Sequence, residues 1–429
     1  MLVAAFFPKK GMPLSDQPPR YHMQENSIQL TELQPLENKT TVNINKITLI
    51  LGMLFVFAPL STDMYLSSFP SIAVSLGCRV EQVQYSLSAF VFGLAAGQLF
   101  YGPLTDRFGR RPPLLAGVAI FTLTSLLAIW APNIAIFTGL RLLQAVGGCA
   151  GMIISRAVIQ DLFDEQQAAH ALSAVMVVQG VGPIAAPIIG GYIHLVGGWQ
   201  AVFVFLTLFG AACFILAARG LPETLPTRDR QRQGPGQVLK AFGNLIRQRD
   251  FMVPTLASSL ILASMFAFIS GSPFVFMGLH GVSQQQYGWL FGVNTVGMVA
   301  ASQVNRLLLR RLSPRTIFVR ALLVHIVSAV LLLAVATTTH LALLMLPLFF
   351  CLATIPVIGA NAIARAMAQS GRHAGGASSL VGVMQFGLAS LVSALVSMLH
   401  NGTAYPMAGM ILTCGLLAGG VLVIGRRRA

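Results

Sequence analysis

Residues 251–429 contain no Asp or Glu, although they carry ten Arg. All thirteen acids of this 429-residue chain lie at or before Asp250. Charge of either sign is scarce, at 10% of residues, where a soluble domain carries roughly 25%. That scarcity argues against a soluble globular protein. Only five Lys occur, and no G-x4-G-K-[ST] loop is present to cradle a nucleotide phosphate, so ATP-driven transport within this chain is not expected. The five cysteines, Cys78, Cys149, Cys213, Cys351 and Cys414, form no C-x-x-C pair, so neither a disulfide framework nor a zinc site is expected. The histidines are scattered without metal-ligand spacing, and no nucleophile–base set suggests an enzyme. The net charge of +15 does not imply a nucleic-acid partner, because such a partner requires a basic face on a soluble domain. Here the basic residues sit between apolar runs.

Those runs dominate what is present. The chain is 55% hydrophobic with a mean hydropathy of +0.74. A transmembrane helix needs about 20 mostly apolar residues. Stretches of that kind fall at 47–67, 83–103, 113–131, 134–155, 171–193, 199–218, 252–276, 286–304, 316–336, 340–362, 375–398 and 403–425. The expectation is an all-α membrane protein with twelve transmembrane helices, embedded as a monomer in a lipid bilayer. Lys and Arg accumulate on the cytoplasmic side of membrane proteins. With the N-terminus inside, 26 of the 28 Lys and Arg face the cytoplasm, Arg79 lies outside and Arg141 lies within a span. Both termini are then cytoplasmic.

The longest internal connection, 219–251, divides the runs into six plus six. Residues 1–46 read as a disordered cytoplasmic tail, 47–218 as one half, 219–251 as a cytoplasmic linker, 252–425 as the second half and 426–429 as a basic tail. The halves echo one another: Asn305-Arg306 precedes Arg310-Arg311 as Asp106-Arg107 precedes Arg110-Arg111. Two pseudo-symmetric six-helix halves with cytoplasmic ends describe a secondary-transporter architecture.

Asp63 is the one acid inside a long apolar run. Such a charge is costly to bury and points to a functional site. At 1.5 Å per residue, Asp63 lies about sixteen residues into the first helix, in the outer third of the membrane. Arg141, about eight residues into the fourth helix at that same rise, reaches a similar depth. Burial favours a neutral carboxyl and a nearby cation favours an ionised one. Asp63 is therefore expected to carry a coupling proton, tuned by Arg141; a static ion pair is the other reading of the same two residues.

After the second helix, Gly102-Pro-Leu-Thr-Asp106-Arg107-Phe-Gly109-Arg110-Arg111 is expected to form a tight loop. Its charges would act as a conformational latch, with Asp106 pairing to another helix end. In the fifth helix, Gly182-Pro183, Ala186-Pro187 and Gly190-Gly191 combine a small-residue packing face with prolines that permit a bend. Tyr65, Gln144, Phe274, Asn294, Asn361 and Gln385 are candidates for substrate contact, the polar ones because a polar group in hydrocarbon needs a partner or water.

The segment from Gly102 to Arg111 matches the major facilitator loop signature G-x3-D-R-x-G-R-R in full. Arg141-Leu-Leu-Gln144-Ala145 resembles the superfamily's R-x-x-Q-G pattern, with Ala in place of the usual Gly. Gly182 to Gly191 resembles its antiporter motif G-P-x-x-G-G, stretched by an inserted Ala-Pro. Together with Ser61-Thr62-Asp63-Met64-Tyr65-Leu66, Pro222-Glu223-Thr224-Leu225, Ser272-Pro273-Phe274-Val275 and Gly375-Gly376-Ala377-Ser378-Ser379-Leu380, they are similar to the bicyclomycin/chloramphenicol-resistance (Bcr/CflA) group. The group often has Pro where this chain has Ser67. The resemblance covers about 47–425. It implies the major facilitator fold, a bacterial inner membrane, and export of a small drug-like molecule against a proton, with no cofactor. A transporter of a native metabolite, such as a nucleoside, amino acid or siderophore, and a non-transporting membrane receptor remain as alternatives.

Overall fold

Polar residues mark where the helices begin, because the first backbone N–H groups of a helix lack intrahelical partners. Asn133 accepts from the amide of Ile136 at 3.0 Å, Asp164 from Gln167 at 2.8 Å and Ser313 from Thr316 at 3.2 Å. Ser283 and Gln286 bond each other's backbone N–H in a capping box. A computed structural model describes residues 44–230, 235–368 and 374–426. The expected disordered tail, Arg232, Arg372 and the last basic residues lie outside the described residues, apart from the tail's final positions. Those positions already belong to a helix.

The helices are α1 (Ile44–Phe55), α2 (Phe57–Asp63), α3 (Phe69–Ser75), α4 (Val80–Phe108), α5 (Arg111–Ala128), α6 (Ile134–Leu162), α7 (Glu165–Gly220), α8 (Pro235–Arg247), α9 (Arg249–Pro273), α10 (Gln284–Leu308), α11 (Pro314–Ala334), α12 (Leu341–Ala368), α13 (Ala374–Met398) and α14 (Tyr405–Arg426). Ten helical segments among the described residues are long and apolar enough to cross a membrane. One of them, in α7, holds two crossings that turn at Gly197 and Gly198, where Gly198 adopts a φ of 68°. Helix α10 supplies the remaining crossing. Its three glutamines at 284–286 and its asparagines lower its apolarity. Among the described residues the architecture is thus twelve crossings in an all-helical bundle. The described residues form one compact unit.

Three expectations about local structure are corrected. The first crossing is a broken helix rather than a continuous one, interrupted at Val56 and by a 3-10 turn at Leu66–Ser68. Pro59 and Pro70 remove two backbone donors there. Gly102 to Phe108 is not a loop but the last two turns of α4. Only Gly109, with a φ of 91°, requires the glycine backbone. The linker is not a bare connection, because α8 lies within it and buries Leu245 in a small apolar cluster with Phe251, Ala366 and Leu380.

The two halves meet along α4 with α13 and along α7 with α10. Small side chains hold the first seam. Ser88 bonds Ser393 at 2.8 Å, Ser390 donates to the Ser88 carbonyl at 2.8 Å and Ser379 to the Gln98 carbonyl at 2.5 Å. The second seam is a glycine contact. A Cβ on Gly288 would sit 2.9 Å from the Pro187 carbonyl, and one on Gly191 would sit 3.1 Å from that of Gln284. Small residues allow this approach where lipid supplies no hydrophobic drive.

Candidate functional site

A cavity of about 600 Å³ lies between the halves. Its walls are largely apolar, including Leu262, Met265, Phe266 and Phe386, with Gln98 and Gln385 on facing helices. Asp63 and Arg156 are its charged lining residues. Such a volume and a few convergent polar groups suit a drug-sized ligand.

Asp63 ends α2 and is 3% exposed. Among the described residues its Oδ1 has no hydrogen-bond partner. A buried carboxylate oxygen left open in this way is expensive unless it meets a proton, water or ligand.

Arg141 is fully buried and does not line the cavity. Its Nη2 donates to the Ser61 carbonyl at 2.7 Å, and Nη1 donates to Gln144 Oε1. Its guanidinium carbon lies 4.1 Å from the ring centre of Tyr65, 4.3 Å from Phe90 and 5.7 Å from Phe203. Such cation–π contacts substitute for water around a buried cation. Gln144 in turn donates to Ser125 at 2.6 Å on α5. No ion pair joins Asp63 to Arg141 among the described residues. Instead Arg141 grips the chain two residues before Asp63 and the ring two residues after it.

The glycine-proline segment of α7 lies between this strand of chain and the other half. A Cβ on Gly190 would run into the backbone of Met64, with the carbonyl oxygen nearest. Pro183 lines the cavity, Gly182 lies beside Val56, and Gly191 faces α10.

The six substrate-contact candidates separate. Gln385 lines the main cavity, and Asn294 lines an adjoining one of about 470 Å³. Tyr65, Gln144, Phe274 and Asn361 line neither. Tyr65 approaches Ser86 at 3.4 Å behind Asp63. Asn361 donates to Asn305 Oδ1 at 2.8 Å, a neutral counterpart in the second half to the charge cluster of the first. Phe274 meets the His400 ring edge-on at 4.2 Å.

That charge cluster is built differently from its sequence expectation. Asp106 pairs within its own segment, to Arg110 at 2.8 Å, and the reach to another helix belongs to Arg110, whose Nε bonds Asp161 on α6 at 3.0 Å. Thr224 also donates to Asp161, at 2.9 Å. Glu223 accepts from the backbone amides of Arg110 at 2.8 Å and Arg111 at 3.3 Å, and Arg230 lies 3.9 Å away. A Cβ on Gly109 would collide with the Glu223 carboxylate. Arg111 caps the end of α7 through the Ala218 carbonyl at 2.5 Å, while Arg107 is exposed against Phe108. Asp161, Glu223 and Arg230 were not singled out for this cluster from the sequence, although Glu223 lies in a motif noted there.

Partial burial pushes the Glu223 carboxyl up, but the amides of Arg110, Leu225 and Arg111 and the Arg230 charge outweigh it and hold it below its ordinary 4.5. A depressed carboxyl stabilises the folded state fully above its unfolded pKa, and loses that effect as pH falls through the lower folded value. Glu223→Gln is therefore expected to lower the Tm of the purified protein at pH 7 and to have a much smaller effect near pH 3. An equal loss at both pH values would show that the charge is immaterial.

At the other end of the bundle the halves touch directly. Gln284 donates to Ser71 at 3.3 Å and His400 meets Glu81 at 3.0 Å, while His194 bridges Ser68 and Ser71 within the first half. The cavity instead extends past Asp63 toward Arg156, Ile363 and Met367 at the Arg110 end.

The profile of the Major Facilitator Superfamily matches residues 51–396. An uncharacterised MFS-type transporter, YdgK, of Bacillus subtilis (strain 168) is 34% identical over 386 residues, covering 89% of this chain and 96% of the relative. A bicyclomycin resistance protein homolog of Haemophilus influenzae is 33% identical over 371 residues, covering 86% and 93%. The multidrug resistance protein MdtL of Escherichia coli O81 is 27% identical over 360 residues, covering 84% and 90%. Among solved structures, a partially occluded inward open form of the xylose transporter XylE from E. coli matches with a TM-score of 0.68 at 13% identity, covering 87% of this chain and 96% of that one.

Proposed function

The chain belongs to the major facilitator superfamily, and we propose that it exports small drug-like molecules across the bacterial inner membrane in exchange for protons. The observation that carries the proposal is the open Oδ1 of buried Asp63 on the wall of a drug-sized cavity between two six-helix halves. Similarity to proteins named for bicyclomycin and multidrug resistance supports the substrate class. The Lys/Arg bias supports a topology with both termini in the cytoplasm.

In that topology the cavity faces the cytoplasm and the Ser71–Gln284 and Glu81–His400 contacts close the outer end. Substrate enters from the Arg156 end and settles on the apolar walls. Its arrival favours release of the proton from Asp63 to the cytoplasm. The halves then rock about the α4–α13 and α7–α10 seams, substrate leaves outside, and Asp63 takes a proton there before returning. Arg141 holds segment 61–65 in place, and the Gly190 contact keeps α7 against it. The Arg110 cluster braces the cytoplasmic ends of the first half as one body while it moves. Residues 219–251 tether the two halves.

Addition of bicyclomycin or chloramphenicol to the purified protein in weakly buffered solution is expected to release protons, seen with a pH dye. Expression should also raise resistance to the releasing compound. A panel of such drugs giving neither proton release nor resistance would refute the proposal.

A further inference from the structure

Arg156 sits on α6 one turn after Met152, and both line the cavity. An arginine placed at the cytoplasmic edge of a membrane helix is ordinarily an anchor in the headgroup region. Arg156 differs because its side chain reaches the chamber that also holds Asp63. Its guanidinium carbon lies 5.1 Å from the centre of the Phe55 ring. That contact covers one face of the plane, while the five N–H donors of an arginine point outward along its edges.

Among the described residues no carboxylate pairs with Arg156. The nearest acid on its own helix, Asp161, is engaged by Arg110 at 3.0 Å and Thr224 at 2.9 Å. The opposite wall, formed by α12 and α13, comes from residues 251–429, which contain no Asp or Glu. Asp63 is the other charge on the lining, at the far end of the cavity. The chamber is therefore dipolar: a carboxyl at one end, a guanidinium that no carboxylate among the described residues pairs at the other, and apolar surface between them.

We propose that Arg156 is an anion hook, and that the favoured substrates are apolar molecules of drug size bearing a carboxylate or a comparable oxyanion. The inference rests on the export reading and narrows its substrate class. A guanidinium presents a rigid fork that matches a carboxylate with two parallel hydrogen bonds. In a chamber with mostly apolar walls, few other groups compete for that pairing. The apolar body of the ligand then lies against Met265, Phe266 and Phe386. A cationic or hydrogen-bond-donating group at its other end meets Asp63.

Three probes test this in equilibrium binding to the full chain in lipid nanodiscs: norfloxacin, its methyl ester, which lacks the carboxylate, and bicyclomycin, which carries no charge. The native protein is expected to prefer the acid to the ester. A hydrogen bond to a charged group is worth about 1.5–3 kcal/mol, so Arg156→Gln should cut the acid-to-ester preference by roughly 10- to 100-fold. Arg156→Lys should restore part of it, since the charge remains and the fork is lost. A preference that Arg156→Gln leaves unchanged would overturn the proposal, and so would equal weakening of acid and ester, the mark of a structural role. Binding of the ester and bicyclomycin without the acid would refute the anion hook and leave the export reading standing. Binding of none of the three would count against both.

Discussion

Asp63→Asn is expected to reduce uphill, proton-driven export to background while leaving substrate binding measurable. Asn has the same shape and cannot ionise, so the substitution removes the charge without opening a hole. The structure explains why no neighbour replaces it: among the described residues Asp63 is the one carboxylate on the cavity lining, and the opposite half contains none. Its Oδ1 makes no bond that holds the fold among the described residues, so the variant should assemble normally. The informative pair of measurements is drug accumulation in everted vesicles under a pH gradient and drug counterflow without one. Loss of the first with retention of the second assigns Asp63 to coupling. Full accumulation by the variant would remove Asp63 from the coupling step, and loss of both with a lowered Tm would assign it to structure.

The second large effect is expected at Gly190. The backbone of α7 lies so close to Met64 that a Cβ would overlap the Met64 backbone. A backbone obstacle cannot rotate aside as a flexible side chain does. Gly190→Ala must therefore push α7 away from the chain that carries Asp63, and overpacking of this kind typically costs about 1–3 kcal/mol. The displaced carboxyl should also lower transport. The effect is expected as a reduced Tm together with reduced drug export at matched expression. Gly409→Ala on α14, where nothing lies within 4 Å of the added Cβ, is the control and should change neither. If Gly190→Ala matches that control, the close approach to Met64 is not a constraint on the working protein.

Asp63, Arg141 and the charge cluster around Asp106 were legible in the sequence because charges in or beside hydrocarbon are rare and have few explanations. The twelve crossings were legible for the same reason: long apolar runs separated by arginine. Several partners were not. Arg110 and Asp161 lie 51 residues apart and Arg110 and Glu223 lie 113 apart, and no local pattern records that three helix ends meet. Tyr65 and Gln144 were expected at the substrate, yet both are buried behind Asp63, where they serve Arg141. A polar side chain in a membrane helix needs a partner, but the pattern does not say whether that partner is a ligand or another residue. Arg156 illustrates the opposite failure. From sequence it was one of many basic residues at helix ends, and only the shape of the bundle turns it into the cavity. The helical extension through Gly102 and Pro103 was hidden because glycine and proline suggest a turn, whereas the packing of α4 against α6 and α13 overrides that local preference.

Arg141 bonds the Ser61 carbonyl and Gln144, and neither of those bonds involves the Asp63 carboxyl. A proton that comes and goes from Asp63 therefore leaves the Arg141 bonds to Ser61 and Gln144 intact. The reorganisation accompanying each protonation then falls on the immediate surroundings of the carboxyl rather than on those two bonds. On the export reading proposed above, a site arranged in this way is discharged and recharged on every cycle without loosening the Arg141 frame, and the tempo of the cycle is left to the rocking of the two halves.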